Sequence, residues 1–346
     1  MKKMDEMLSL TAAWFRKTGA ALPWRENRDP YRVWISEIML QQTRIETVIP
    51  YYLRFMKEAP DVFALAALSE EKLFKLWEGL GYYTRARNLK KCAEILCREY
   101  NGSFPRTAKE LALLPGIGAY TAGAVASIAF GEKAPAVDGN VLRVVTRCFA
   151  MKDDIAKPQT REKITSLLAA RYPEGDEAGE VTQGLMEIGE KCCIPNGAPL
   201  CASCPLKTIC ASKDGLWETI PVKTPKKERR IEEKTVFLLQ CGEKFALEKR
   251  GESGLLAGLF GFPTVDGALT EKEARDRLSS LGFQISSLAP CGEAKHIFTH
   301  VEWRMKGLCV LVQNEKEGFF WASPQEILHQ YALPSAFRAF RKMIGK

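Results

Sequence analysis

Histidine is scarce in this chain of 346 residues: His296, His300 and His329 are all there are, and each lies near the C-terminal end. A thiol-rich segment upstream therefore has no histidine close by to complete a mixed metal site. No run of apolar residues is long enough to cross a bilayer, which excludes a helical membrane span. No secretory signal accompanies the eleven cysteines, so they fit a reducing cytosol and not a disulfide framework. Internal repeats and low-complexity tracts are missing too.

What is present suits two or three globular domains in a chain long enough to act as a monomer. The formal net charge of +8 gives a mildly basic surface that tolerates polyanionic partners without proving them. Residues 223–234, Lys-Thr-Pro-Lys-Lys-Glu-Arg-Arg-Ile-Glu-Glu-Lys, have almost no apolar content and read as a solvated linker. This divides the chain into an N-terminal region, 1–222, and a C-terminal domain, 235–346.

The cysteines are not scattered evenly. Cys193, Cys201, Cys204 and Cys210 fall within eighteen residues, close enough for four thiolates to clasp one metal centre. An all-sulfur set suits an iron-sulfur cluster or zinc. A zinc ribbon usually shows two CxxC knuckles, whereas this segment has only Cys201/Cys204, so a 4Fe-4S cluster is the favoured reading. Cys192 stays a rival to Cys193 as the first ligand. The remaining cysteines read as buried thiols.

Before the linker the pattern is helical. Asp29-Pro30 supplies a cap and a first-turn proline for a helix over 31–40. Ser69 opens another through Trp77 that Gly79 can end, and Thr107 with Glu110 forms a capping box. Leu114-Pro115-Gly116-Ile117-Gly118 is a glycine hairpin leading into an apolar helix over 123–130. Its free amides could hold a phosphate, though a plain helix-helix turn would use the same residues. After the linker, 235–240, 244–248, 296–305 and 308–312 look like strands and 271–281 and 324–330 like helices, a compact α+β domain.

Two carboxylates stand out by environment. Glu37 lies inside Val33-Trp34-Ile35-Ser36-Glu37-Ile38-Met39-Leu40, where desolvation would keep it protonated. Asp138 precedes a helix over 141–149, where backbone amides and the helix dipole favour its anion. Cleaving a nucleoside's glycosidic bond needs such an acid and anion, because the base must leave protonated while the sugar gains positive charge. Taken singly, Asp138 reads as a simple N-cap and Glu37 as a helix-face residue.

The hairpin, the downstream Asp138 and the four-cysteine segment occur in the order found in helix-hairpin-helix DNA glycosylases that carry an iron-sulfur cluster. Within them the chain most closely resembles the MutY-type adenine DNA glycosylases. The resemblance rests on Leu22-Pro23-Trp24-Arg25, Ser36-Glu37-Ile38-Met39-Leu40-Gln41-Gln42-Thr43, Trp77-Glu78-Gly79-Leu80-Gly81-Tyr82-Tyr83 and Asp138-Gly139-Asn140-Val141. It departs in one loop, where seven residues separate Cys193 from Cys201 and the family commonly has six.

The resemblance implies a mainly α helix-hairpin-helix glycosylase region with one 4Fe-4S cluster, followed by an α+β Nudix-like domain. It implies a monofunctional enzyme of base-excision repair, associated with DNA in the cytoplasm, most naturally the bacterial nucleoid. The substrate would be duplex DNA in which adenine is mispaired with 8-oxoguanine or guanine, and adenine would be flipped out before hydrolysis. Glu37 would protonate adenine at N7 and help activate water, Asp138 would stabilise the oxocarbenium-like sugar electrostatically or as a transient covalent partner, and Asn140 and Tyr120 would hold that geometry. Arg25 and Gln183 would line the adenine pocket. Gln42, Thr43, Leu80 and Tyr82 would probe the gap and the opposite base, with Gly116 and Gly118 on the DNA backbone. Phe298-Thr299-His300 stands where the family has a Phe-Ser-His lesion-reading loop. The segment Glu271 to Gly282 lacks the paired glutamates of a Nudix hydrolase, so hydrolysis there is not expected. An endonuclease III-like bifunctional enzyme would need a Schiff-base lysine where this chain has Tyr120. A non-catalytic DNA-binding protein would leave Glu37 and Asp138 unexplained.

Overall fold

The computed structural model describes residues 2–225 and 228–344. Lys226 and Lys227 of the expected linker, and Met1, Gly345 and Lys346 of the expected domains, lie outside the described residues. In chain order the helices are α1 (Lys2–Thr18), α2 (Pro30–Leu40), α3 (Ile45–Glu58), α4 (Val62–Ala67), α5 (Glu70–Trp77), α6 (Thr84–Tyr100), α7 (Ala108–Leu111), α8 (Ala119–Phe130), α9 (Gly139–Phe149), α10 (Pro158–Ala169), α11 (Asp176–Lys191), α12 (Glu271–Ser280), α13 (Pro324–His329) and α14 (Arg338–Arg341). The strands are β1 (Arg230–Cys241), β2 (Lys244–Lys249), β3 (Phe260–Gly261), β4 (Thr264–Asp266), β5 (Ile285–Ile297), β6 (Val301–Val312) and β7 (Phe320–Ala322).

The chain forms two compact units: Met1–Ala67 with Arg87–Pro225, and Leu68–Ala86 with Lys226–Lys346. The sequence reading did not anticipate that Leu68–Ala86 belongs with the C-terminal residues. The reason is visible in its bonds: the Glu78 carboxylate pairs with Arg341 and accepts from the Leu333 amide at 3.2 Å, and Lys75 donates to the Tyr331 carbonyl at 3.0 Å.

In the first unit the helix starts fall as read, except that the Thr107 capping box is only half formed, its hydroxyl donating to the Glu110 carboxylate at 2.6 Å. Asp29 accepts the Tyr31 amide with Pro30 in the first turn, and Thr107 accepts the Glu110 amide. In α2 apolar residues run all round the helix, and Tyr31 and Val33 through Met39 are buried. A helix without a polar face must sit inside, and α2 packs against α3 and α8. Gly116 has φ +76°, and a Cβ there would lie 2.6 Å from the Asn88 Cβ, so the hairpin needs glycine at that corner. Helix α11 packs against α1, α8 and α9, enclosing a core that includes Met7, Val141, Val145, Leu185 and Ile188.

In the second unit a mixed sheet runs β3-β2-β1-β6-β5, with β4 on β1 and β7 on β2. Parallel pairing of β1 with β6 spans Arg230↔Val301 to Gln240↔Leu311. Apolar residues from one face, including Val236, Leu238, Trp303 and Met305, meet Ile327, Phe337 and Phe340; those from the other, including Phe237, Leu239, Leu308 and Val310, meet Ala274 and Leu278 of α12. Two strand expectations are corrected. β1 begins at Arg230, inside the stretch read as linker, because pairing with β6 satisfies its backbone while its charged side chains stay at the surface. The strand expected over 296–305 is two strands, β5 ending at Ile297 and β6 starting at Val301, with Phe298–His300 as the turn.

Candidate active site

Helix α2 carries Glu37 into the interior, where it is 7% exposed. Tyr120, in the first turn of α8, donates its hydroxyl to Glu37 Oε2 at 2.6 Å, and the same hydroxyl lies 3.7 Å from Met186 Sδ. Burial pushes the Glu37 carboxyl up to about 7; the Asp138 charge adds to the rise, while the Tyr120 hydrogen bond and the Arg25 charge oppose it. Burial also holds the Tyr120 hydroxyl far above its ordinary range, so it remains a donor.

Asp138 caps α9 in extended conformation, as expected, and accepts the Val141 amide at 2.8 Å. Asn140 Nδ2 donates to Asp138 Oδ2 at 2.9 Å. The backbone amides at the cap favour the anion as expected, but burial outweighs them. Burial pushes Asp138 above the usual carboxylate range, and the Val141 amide, the Asn140 side chain and amide, and the Arg143 charge offset only part of that.

Three supporting residues were missed in the sequence. Arg143 Nη2 donates to Asn140 Oδ1 at 2.8 Å and to the Gly189 carbonyl at 2.7 Å, and its Nε donates to the Cys193 carbonyl at 2.6 Å. It ties the Asp138–Asn140 pair to the start of the cysteine segment. Gly189 approaches so closely that a Cβ there would lie 2.5 Å from the Asn140 Cβ. Glu187, 2% exposed, pairs with Arg25 and Lys191 and so orients Arg25, whose guanidinium lies 5.0 Å from the Phe15 ring centroid. A buried arginine within the apolar run of α9 was the available signal for Arg143, since such a charge needs partners.

Arg25 and Gln183 line one pocket, with Phe15, Trp24 and Gly179 among its walls. In this structure the Gln183 amide donates to the Gly179 carbonyl at 3.2 Å. Gln42 and Tyr82 both have positive φ, 60° and 49°, a conformation costly for residues other than glycine and concentrated at functional sites. Thr43 Oγ1 lies 3.5 Å from the Gln41 carbonyl. Leu80 is buried, whereas Tyr82 is 50% exposed. Gly118 caps α8 without a side-chain bond and with open space where a Cβ would stand.

In the second unit the Tyr82 and Thr299 hydroxyls are 3.3 Å apart. The turn bearing Thr299 is closed by the Phe298 amide donating to the Val301 carbonyl at 2.8 Å. The Phe298 ring is held edge-on between His296, at 4.6 Å, and Trp303, at 5.0 Å. Thr299 and His300 are left at the exposed tip.

Cys193, Cys201, Cys204 and Cys210 line one small cavity, together with Cys192, Arg147, Ser212 and Trp217. Among the described residues no three His, Cys, Asp or Glu side chains gather tightly enough to hold a single metal ion. Arg147 Nη1 donates to Cys193 Sγ at 3.4 Å, while Cys192 is buried in the helical core.

Residues 35–170 match the HhH-GPD superfamily of base excision DNA repair proteins, and residues 235–343 match the NUDIX domain. A thermostable thymine-DNA glycosylase has a similar fold over 62% of this chain and 97% of its own, with a TM-score of 0.56 and 28% identity. An endonuclease III solved in a non-covalent complex with DNA is similar over 60% of this chain and 92% of its own, with a TM-score of 0.51 and 28% identity. Fold and site thus define a DNA glycosylase of the helix-hairpin-helix class joined to a Nudix-like domain. Among whole-chain relatives, the human adenine DNA glycosylase is 32% identical over 96% of this chain and 73% of its own length. That of Buchnera aphidicola from Baizongia pistaciae is 34% identical over 87% and 85%. The chain belongs to the adenine DNA glycosylase family.

Proposed function

We propose that this enzyme, acting as a monomer, removes adenine mispaired with 8-oxoguanine or guanine from duplex DNA, by hydrolysis and without cutting the strand. The observation that carries the reading is the buried Glu37, held by the Tyr120 hydroxyl and ionising near 7, beside the braced Asp138–Asn140 pair. Protonated Glu37 gives its proton to N7 of the flipped base. The glycosidic electrons leave with adenine, and the Asp138 carboxylate stabilises the positive charge that develops on the sugar. Water adds to the anomeric carbon and returns its proton to Glu37. Tyr120 occupies the place where a strand-cleaving relative would need an amine, and its buried hydroxyl is already committed to Glu37.

Arg25 and Gln183 hold adenine. Gln42, Thr43, Leu80 and Tyr82 fill the gap left in the duplex, and Gly116 and the uncapped amides after Gly118 receive a backbone phosphate. Thr299 and His300 read the N7 hydrogen and the extra oxygen of 8-oxoguanine. Cys193, Cys201, Cys204 and Cys210 hold a 4Fe-4S cluster: four thiols on one cavity suit a multi-iron cage, and the Arg147 contact favours Cys193 over Cys192. When bound, that group cross-links the segment and supplies one-electron redox chemistry. Single-turnover assays on A:8-oxoguanine, A:G and oxidised-pyrimidine duplexes test the whole reading. Excision on the first two without strand breaks is expected; release of oxidised pyrimidines with strand cleavage would overturn it.

A further inference from the structure

Ser212 has a side chain whose chemistry the fold leaves unused. It is 1% exposed, and its hydroxyl has no hydrogen-bond partner among the described residues. Native folds leave few buried hydroxyls unsatisfied, because each forfeits its bonds to water. The rest of the residue is engaged: its amide is directed at Cys210, and its carbonyl accepts from the Trp217 amide at 3.2 Å. Ser212 lines the cavity that Cys193, Cys201, Cys204 and Cys210 share, so it stands on the wall of the space that a sulfur-bound group would occupy.

We propose that Ser212 is a positioning residue for the iron-sulfur cluster, donating its Oγ–H to a cluster sulfur and thereby raising the cluster's reduction potential. The inference rests on the cluster reading above. A donor at sulfur draws electron density away and favours the more negative oxidation state, in the way that outer hydrogen bonds tune metal centres generally. Without it, the cluster is easier to oxidise and to lose.

The test uses full-length protein purified without oxygen: wild type, Ser212→Ala, and Ser212→Thr, which keeps the hydroxyl. Iron, sulfide and zinc content are measured first, then the midpoint potential and the rate at which peroxide bleaches the visible absorbance. The expected result is equal iron in all three and a lower potential in Ser212→Ala. The one-electron equilibrium constant should fall by up to about tenfold, equivalent to about 59 mV. Bleaching should be faster in Ser212→Ala, with both properties restored in Ser212→Thr. If Ser212→Ala does not fold, Ser212→Cys supplies a weak donor of similar shape and should shift the potential in the same direction. Equal potentials at equal iron content would overturn the role of Ser212 and leave the cluster reading standing. Zinc without iron in the wild type would overturn the cluster reading itself.

Discussion

The carboxylate site of the helical unit and the β5–β6 turn of the sheet unit solve opposite problems. Glu37 is buried and Asp138 half-buried, and the two are cross-braced by Tyr120, Asn140 and Arg143, whereas Thr299, His300 and Tyr82 stand at the surface. Proton transfer and charge stabilisation gain from a fixed, dry setting, because a preorganised dipole is worth more there than in water. Reading an intact base needs access. The turn is still not loose: its anchor Phe298 is clamped by His296 and Trp303, which leaves Thr299 and His300 exposed at its tip.

The sharpest test of this contrast removes charge from the buried site while keeping shape. Asp138→Asn and Glu37→Gln should each lower the single-turnover excision rate by about 10²–10⁴-fold. Duplex binding should stay close to wild type, since each substitution nearly keeps the shape of the side chain. Rates within a few-fold of wild type would refute the assignment of acid and anion.

A smaller loss should come from disturbing the bracing alone. Gly189→Ala puts a methyl group against Asn140, and the displaced amide can no longer hold Asp138 at its present distance. Misplacement by about 1 Å can cost on the order of 10²-fold in rate. Binding should change little. An excision rate equal to wild type would show that Asn140 does not position Asp138.

What the sequence disclosed follows the same division. Glu37 was legible because one acid among the six apolar residues of Val33–Leu40 has nowhere to go but a desolvated site, and Asp138 because its spacing from Val141 is that of an N-cap. Arg143 was not, because its carbonyl partners at Gly189 and Cys193 lie 46 and 50 residues away. The allegiance of Leu68–Ala86 was hidden for the same reason, since Glu78 meets Arg341 across 263 residues. The long strand β5 was hidden by its surface position: its pattern is mostly exposed or half-buried, and Pro290 and Gly292 fall at a register irregularity. Periodicity reports a buried face, and β5 has little of one.

Discrimination between opposite bases should respond to the turn. The Thr299→Ala and His300→Ala double variant should lose roughly 1–3 kcal/mol of preference for 8-oxoguanine over guanine opposite adenine, measured at low enzyme concentration. Excision at saturating enzyme should hold. These point changes are a cleaner test than cutting the chain after Pro225, which would also strip Glu78, Lys75 and Tyr82 of their C-terminal partners. Unchanged preference would mean that the turn does not read the lesion.

The mildest perturbation is pH, and it separates the two settings because Glu37 titrates near neutrality. Excision needs Glu37 protonated, so the rate should decline above about pH 7 and approach a tenfold loss per unit. On the acid side Asp138, itself pushed upward, takes up its proton sooner than an ordinary carboxylate and gives the opposing limb. The same shift bears on stability. The folded-state value for Glu37 lies above its ordinary 4.5, so its contribution to stability is complete below 4.5 and is lost as pH rises through about 7. Glu37→Gln cannot lose a proton there. Its stability relative to wild type should therefore increase between pH 5 and pH 8. Urea unfolding of the two proteins at each pH measures this directly, and a difference that stays constant across the interval would mean that Glu37 ionises as an exposed glutamate does.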